Sequence, residues 1–170
     1  WTVHIHPSDF PADRWPPAGH GRRVVTAEDY VPAQNRYGGF VYAGGTMAFT
    51  ATYSALDALR PRLIAALGCD MVYPATGATH FYGTGSPDPL RKDVTLRSLE
   101  AKSARARIFA ARQGCALVTL TEGPESRLAW RRAKAGEAPS PAPFDAALTA
   151  RAEAEEARLG YVVPSGKYWK

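Results

Sequence analysis

Cysteine is nearly absent from this chain of 170 residues, which holds only Cys69 and Cys115. Two thiols close at most one bridge, and neither lies in a Cys-x-x-Cys pair, so no disulfide framework holds the fold. The expectation is two free, buried thiols in a reducing cytoplasm. Long apolar runs are missing too. Stretches such as Leu63–Leu67 stop far short of the roughly 20 residues that span a bilayer, which excludes a membrane-spanning helix. No basic-then-apolar leader ending in small residues marks secretion. The chain opens on Trp1 rather than Met, as a trimmed product would. Three catalytic signatures are also lacking: a Walker loop, a full Gly-x-Gly-x-x-Gly fingerprint and a Gly-x-Ser-x-Gly elbow.

What is present fits one globular domain. The composition is 45% apolar and 22% charged, and a chain of this size buries on the order of two-thirds of its unfolded surface without staples. Lys and Arg number 21 against 16 Asp and Glu, a net charge of +5 that attracts anions in general without choosing among them. The densest basic run, Arg97 to Arg112, reads as the solvated face of a helix. No basic motif interleaved with aromatics grips single strands, so nucleic acid is not among the expected partners.

Along the chain, residues 1–37 read as irregular apart from short strands at Thr2–His6 and Arg23–Thr26. Pro7, Pro11, Pro16 and Pro17 forbid a helix between them. A core follows over 38–133. Gly38 to Tyr42 is an apolar run entering Ala43-Gly44-Gly45-Thr46, and from Met47 the spacing of Phe49, Tyr53, Leu56 and Leu59 predicts a helix ending at Pro61. Leu63–Leu67 reads as a central strand buried on both faces. A second helix runs from a cap at Asp93 or Thr95 to Gln113 and ends at Gly114, and Ala116–Leu120 is the next strand. Residues 134–143 form a linker rich in Pro and Ala. A polar helix, Phe144–Leu159, and a short strand at Tyr161–Val163 complete the chain over 144–170. Strand and helix alternate, so the expected class is α/β, a Rossmann-like three-layer sandwich with a mainly parallel sheet.

In such sheets ligands bind beyond the carboxyl ends of the strands. Three segments fall there. Gly44, Gly45 and Thr46 lead into a helix whose free N–H groups would face an anion, or they make a plain strand-to-helix turn. Asp70 and Tyr73 follow the central strand, where an acid accepts hydrogen bonds from sugar hydroxyls or fixes neighbouring loops. Ser126 either caps a short helix or contacts a ligand. His80, in the long loop facing the same edge, has an imidazole suited to proton transfer, or else it packs against Tyr82. His4, His6 and His20, without clustered Cys or carboxylates, do not make a metal site, so no metal is expected.

The order of these segments resembles a known group. Gly44-Gly45-Thr46-Met47-Ala48, then Arg62 through Met71, then Thr79-His80-Phe81-Tyr82-Gly83, then Gly114–Val118 and Pro124-Glu125-Ser126, look like the second half of a Rossmann-like family. That family includes bacterial CMP-sugar sialyltransferases, flagellin-glycosylation factors and 6-hydroxymethylpterin pyrophosphokinase-like proteins. Phe40 to Leu128 carries the likeness, with a fainter echo in Tyr161–Ser165. The resemblance implies that the family's first βα unit is lacking, upstream of Trp1. It implies that Gly44, Gly45 and Thr46 hold phosphate or donor sugar, that Asp70 and Tyr73 lie under the nucleotide or sugar, and that Ser126 closes the nucleotide pocket. The family's Tyr-x-x-His element is not matched: Phe81 and Thr84 stand at those places, which leaves His80 as the catalytic base. Tyr82, with Arg91 or Lys92, would stabilise the departing phosphate.

The expected activity is transfer from a nucleotide-activated, CMP-type acidic sugar to a glycan or protein acceptor, in surface polysaccharide or flagellin glycosylation. No cofactor beyond that donor is implied. Two other readings stay open: a pterin pyrophosphokinase-like phosphotransferase, for which Asp70 is the only obvious Mg²⁺ carboxylate, and a non-catalytic binding or assembly module on the same scaffold.

Overall fold

A computed structural model describes residues 2–5, 13, 22–37, 46–78, 99–121 and 126–136, with single residues 147, 150 and 154. At the start, strand β1 (Thr2–Ile5) pairs in parallel with β2 (Arg22–Val25), from Thr2 opposite Arg22 to Ile5 opposite Val25. Both strands lie within a residue of the expected Thr2–His6 and Arg23–Thr26. Helix α1 (Ala27–Arg36) departs from expectation: residues 1–37 read as irregular beyond their two strands, yet ten of them are helical. Pro32 hides this helix from a sequence reading, because proline in a helix interior removes an N–H and costs about 3 kcal/mol. Two features offset that cost. Asp29 Oδ2 accepts the Thr26 N–H at 3.2 Å, one half of a capping box. Tyr30, Ala33, Gln34 and Tyr37 are buried, so α1 is held mainly by what it packs against.

Helix α2 (Met47–Leu59) forms where the apolar spacing places it. Phe49, Tyr53 and Leu56, four and three residues apart, are almost wholly buried, as one stripe of a helix requires. Thr46 is its extended N-cap and Arg60 its left-handed C-cap, before Pro61. Only residues 60–62 then separate the helix from strand β3 (Leu63–Ala66). Helix α3 (Leu99–Arg112) leads by a similarly short turn into β4 (Ala116–Thr119). Gly114 makes that turn at φ 72°, with its N–H on Ala111 O at 3.0 Å and the Cys115 N–H on Ala110 O at 2.9 Å. This is a Schellman motif, and it stops the helix where the glycine predicts.

β3 and β4 are parallel, with Ile64 opposite Leu117 and Ala66 opposite Thr119, and β4 pairs in parallel with β5 (Arg131–Arg132). The strand order β3-β4-β5 corrects one expectation. β3 is not the central strand buried on both faces: Leu63 and Ala65 are exposed, and Leu67 beyond it is 74% exposed. β4 is the strand buried at every position, because it alone has a neighbour on each side within the described sheet. An all-apolar run looks the same in either place. A second correction concerns the residues after Ser126, where the expected short helix is replaced by an irregular segment leading into β5.

Helices α2 and α3 lie against the sheet through one core of Phe49, Tyr53, Leu56, Met71, Leu99, Ala106, Ala110, Leu117 and Trp130, with Ile64 and Ala66 packed on it. The Tyr37 ring joins α1 to this core, stacked on Tyr53 at 5.0 Å and edge-on to Phe109 at 5.3 Å. Gln34 Nε2 donates to Thr50 Oγ1 at 2.6 Å across the same contact. The described residues thus form an α/β fold with small parallel sheets. Among them, no helix is long and apolar enough to cross a membrane.

Candidate functional site

The strands of the β3-β4-β5 sheet are parallel, so their carboxyl ends open onto one edge. The chain leaves β3 through Leu67, Gly68 and Cys69 to Asp70 at that edge. Gly68 at φ 70° and Met71 at φ 60° turn it, and Asp70 Oδ1 accepts the Val72 N–H at 3.0 Å. Met71 is driven into the core, and burying that side chain offsets roughly 1 kcal/mol of left-handed backbone strain. The Tyr73 hydroxyl reaches back to Met71 Sδ at 3.5 Å.

Ser126, distant in sequence, comes to the same place. Its Oγ donates to Asp70 O at 3.5 Å, and the Arg127 N–H reaches that carbonyl at 2.9 Å. Ser126 Oγ also accepts the Leu128 N–H at 3.2 Å, so its turn is made within an irregular segment rather than at a helix start. Thr119 and Thr121 complete the edge at the end of β4. The Thr121 N–H and the Thr119 hydroxyl bind within the pair, at 3.3 and 3.1 Å.

The structure therefore brings Ser126 against the Asp70 main-chain carbonyl, while Tyr73, three residues further on, packs on the core with its hydroxyl on Met71. Thr46 is buried at the start of α2. Gly44, Gly45, His80, Tyr82, Arg91 and Lys92 lie outside the described residues, as does the strand at Tyr161–Val163; of the proposed helix at Phe144–Leu159 only Ala147, Ala150 and Ala154 are described, and they are helical.

Sequence reasoning passed over the groups that hold this edge in place. Arg127 clasps Glu100 in a two-pronged pair, Nε to Oε1 at 2.7 Å and Nη2 to Oε2 at 3.2 Å. Ser103, fully buried, donates to Glu100 O at 2.8 Å and accepts the Ala129 N–H at 2.7 Å. Its carbonyl takes the indole N–H of Trp130 at 2.9 Å. These bonds dock the segment after Ser126 onto α3. No spacing signals the contacts between the two segments, since those partners lie more than 20 residues apart and each residue type is commonplace.

Cys69 stands next to Asp70. Burial, reinforced by the Asp70 charge, pushes its thiol above the ordinary range, which keeps it protonated and poorly nucleophilic near neutrality. Burial raises Cys115 as well, although a backbone hydrogen bond at Ile64 opposes it. Both are free thiols, as their number and spacing predict, but only Cys115 is buried; Cys69 is half-buried, against the expectation of two buried thiols, because it follows the exposed turn at Leu67 and Gly68. No group of three or more His, Cys, Asp or Glu able to hold a metal occurs among the described residues.

Compared with known proteins, the chain matches no family model, no curated protein and no solved structure. The functional reading stands on the residues alone.

Proposed function

We propose that this chain is a glycosyltransferase-like domain of Rossmann-like, three-layer architecture that binds a CMP-activated acidic sugar at the carboxyl edge of its parallel sheet. One observation carries the reading. Asp70 and Ser126, 56 residues apart, meet beyond the end of β3, where open parallel sheets take their ligands. The sequence order of Gly44-Gly45-Thr46, Asp70, His80 and Ser126 and the net charge of +5 support an anionic donor at that edge.

In this reading the N–H groups at the start of α2, with Gly44 and Gly45, receive the donor phosphate, and Thr46 lies beside them. Asp70 and Tyr73 take sugar hydroxyls, and Ser126 closes on the nucleotide. An acceptor hydroxyl attacks the anomeric carbon, and the bond from that carbon to the phosphate oxygen breaks. His80 takes the hydroxyl proton, and CMP leaves with its charge stabilised by the helix end and Tyr82.

Titration calorimetry with CMP, a CMP-sugar and UMP tests this. Saturable heat is expected for the cytidine ligands. It should weaken about tenfold in Asp70→Asn, which keeps an acceptor for the Val72 N–H and removes only the charge. Heat no greater than dilution for both cytidine ligands overturns the proposal.

A second reading, a non-catalytic binding module, draws on a different observation. Asp70 and Ser126 each already bind a backbone N–H within their own turn. His80→Ala separates the two: a transferase loses turnover and keeps binding, whereas a module behaves as before.

A further inference from the structure

Helices α2 and α3 pack on one face of the β3-β4-β5 sheet, the face that carries Ile64, Ala66 and Leu117, and α1 joins the same core through Tyr37. Alternation turns the residues between them the other way. On that outer face Leu63 lies opposite Ala116, and Ala65, Val118 and Arg131 form one row across the three strands. Ala116 and Val118 are buried, whereas Leu63 and Ala65 are exposed and Leu67, next in the alternation, is 74% exposed. Parallel sheets are ordinarily covered on both faces. β3 instead shows water a strip of two leucines around an alanine. Arginines border it: Arg131 in the row of Ala65 and Arg62 just before Leu63, both exposed. No Asp or Glu stands on the three described strands.

One segment of the chain has the complementary character. Ala147, Ala150 and Ala154 are helical and exposed, and their spacing of three and four sets them on one side of a helix. Around them, residues 144–159 carry Asp145, Glu153, Glu155 and Glu156 against Arg151 and Arg158, an acidic excess to meet a basic border. The sizes agree as well. Leu63 to Leu67 spans about 13 Å of strand, and Ala147 to Ala154 about 10 Å of helix. Protruding leucines interdigitate with a row of small side chains. The chain also reaches. β5 and β3 stand about 10 Å apart across the sheet, and the ten residues 137–146 extend over as much as about 33 Å.

We infer that the helix bearing Ala147, Ala150 and Ala154 docks on the outer face of β3, its alanine stripe over Leu63, Ala65 and Leu67 and its acidic excess beside Arg62 and Arg131. The contact lies within one chain and gives the sheet a covering layer on the side opposite α2 and α3. It does not depend on the chemistry at the carboxyl edge, so the glycosyltransferase reading can fail without it.

The test is methyl NOE spectroscopy on the whole chain labelled at Leu and Ala methyls, with the melting temperature as a second readout. NOEs are expected from the Leu63 and Leu67 methyls to those of Ala147, Ala150 or Ala154, unchanged on dilution. They should vanish in Ala150→Glu, which sets a charge on the stripe while keeping a good helix former, and that variant should melt about 2–4 °C lower. Leu67→Asp should lower the melting temperature to a similar extent, whereas a leucine left in water tolerates the change. Absence of these NOEs in the parent chain overturns the inference. So do NOEs seen only between differently labelled copies, which make a second molecule the occupant, and an unchanged melting temperature in either variant.

Discussion

Ser103 shows how much one small polar side chain holds when it is buried between two segments. Its hydroxyl satisfies the Glu100 carbonyl and the Ala129 N–H, in a place where water does not compete. Replacing it with alanine strands the Ala129 N–H, at a cost of about 1–3 kcal/mol. The neighbouring Arg127–Glu100 pair has better charge geometry, yet both side chains are more than a third exposed, so Arg127→Ala should cost less than about 1 kcal/mol. Urea denaturation of the two variants checks this. The expected order is Ser103→Ala well below Arg127→Ala in stability, and equal losses would mean that the ion pair, not the hydroxyl, docks the segment.

At the scale of the element, what ends a helix decides where the next strand begins. Gly114 and Arg60 close α3 and α2 in the same left-handed conformation, one with a residue suited to it and one without. A Cβ built on Gly114 meets nothing within 4 Å, so the penalty of Gly114→Ala is purely backbone. Thermal denaturation should show a loss of about 1–2 kcal/mol. An unchanged melting temperature would mean that the turn into β4 relaxes to another conformation. α1 teaches the converse: the interior Pro32 argues against a helix, and burial of Tyr30, Ala33, Gln34 and Tyr37 overrides it.

Over the whole molecule, protection from solvent follows strand order rather than strand hydrophobicity. Leu63–Ala66 is as apolar as Ala116–Thr119, yet β3 pairs on one side only within the described sheet and β4 on both. Hydrogen exchange should therefore be slower for the amides of β4 than for those of β3, since backbone bonds at an edge open without breaking the core. Equal protection of the two strands would place a further partner against β3. The two ends of the molecule also carry different chemistry. Asp70 and Ser126 meet at the carboxyl edge, and an Arg36–Asp57 ion pair stands where the helices end.

Much of this was legible beforehand. The helical stripe of Phe49, Tyr53 and Leu56, the stop at Pro61, the turn at Gly114 and the alternation of strand and helix follow from local geometry and side-chain period. Those are properties of neighbours in the chain, and the α/β class came with them. The free thiols followed from number and spacing. What no local pattern contains is which segments far apart in the chain meet. That Ser126 answers Asp70, that Glu100 and Ser103 fasten the segment after Ser126 to α3, and that β4 rather than β3 is the inner strand of the described sheet are consequences of register and packing. Each depends on free energies summed across the core, where a hydroxyl or an arginine takes its meaning from whatever the fold sets opposite it.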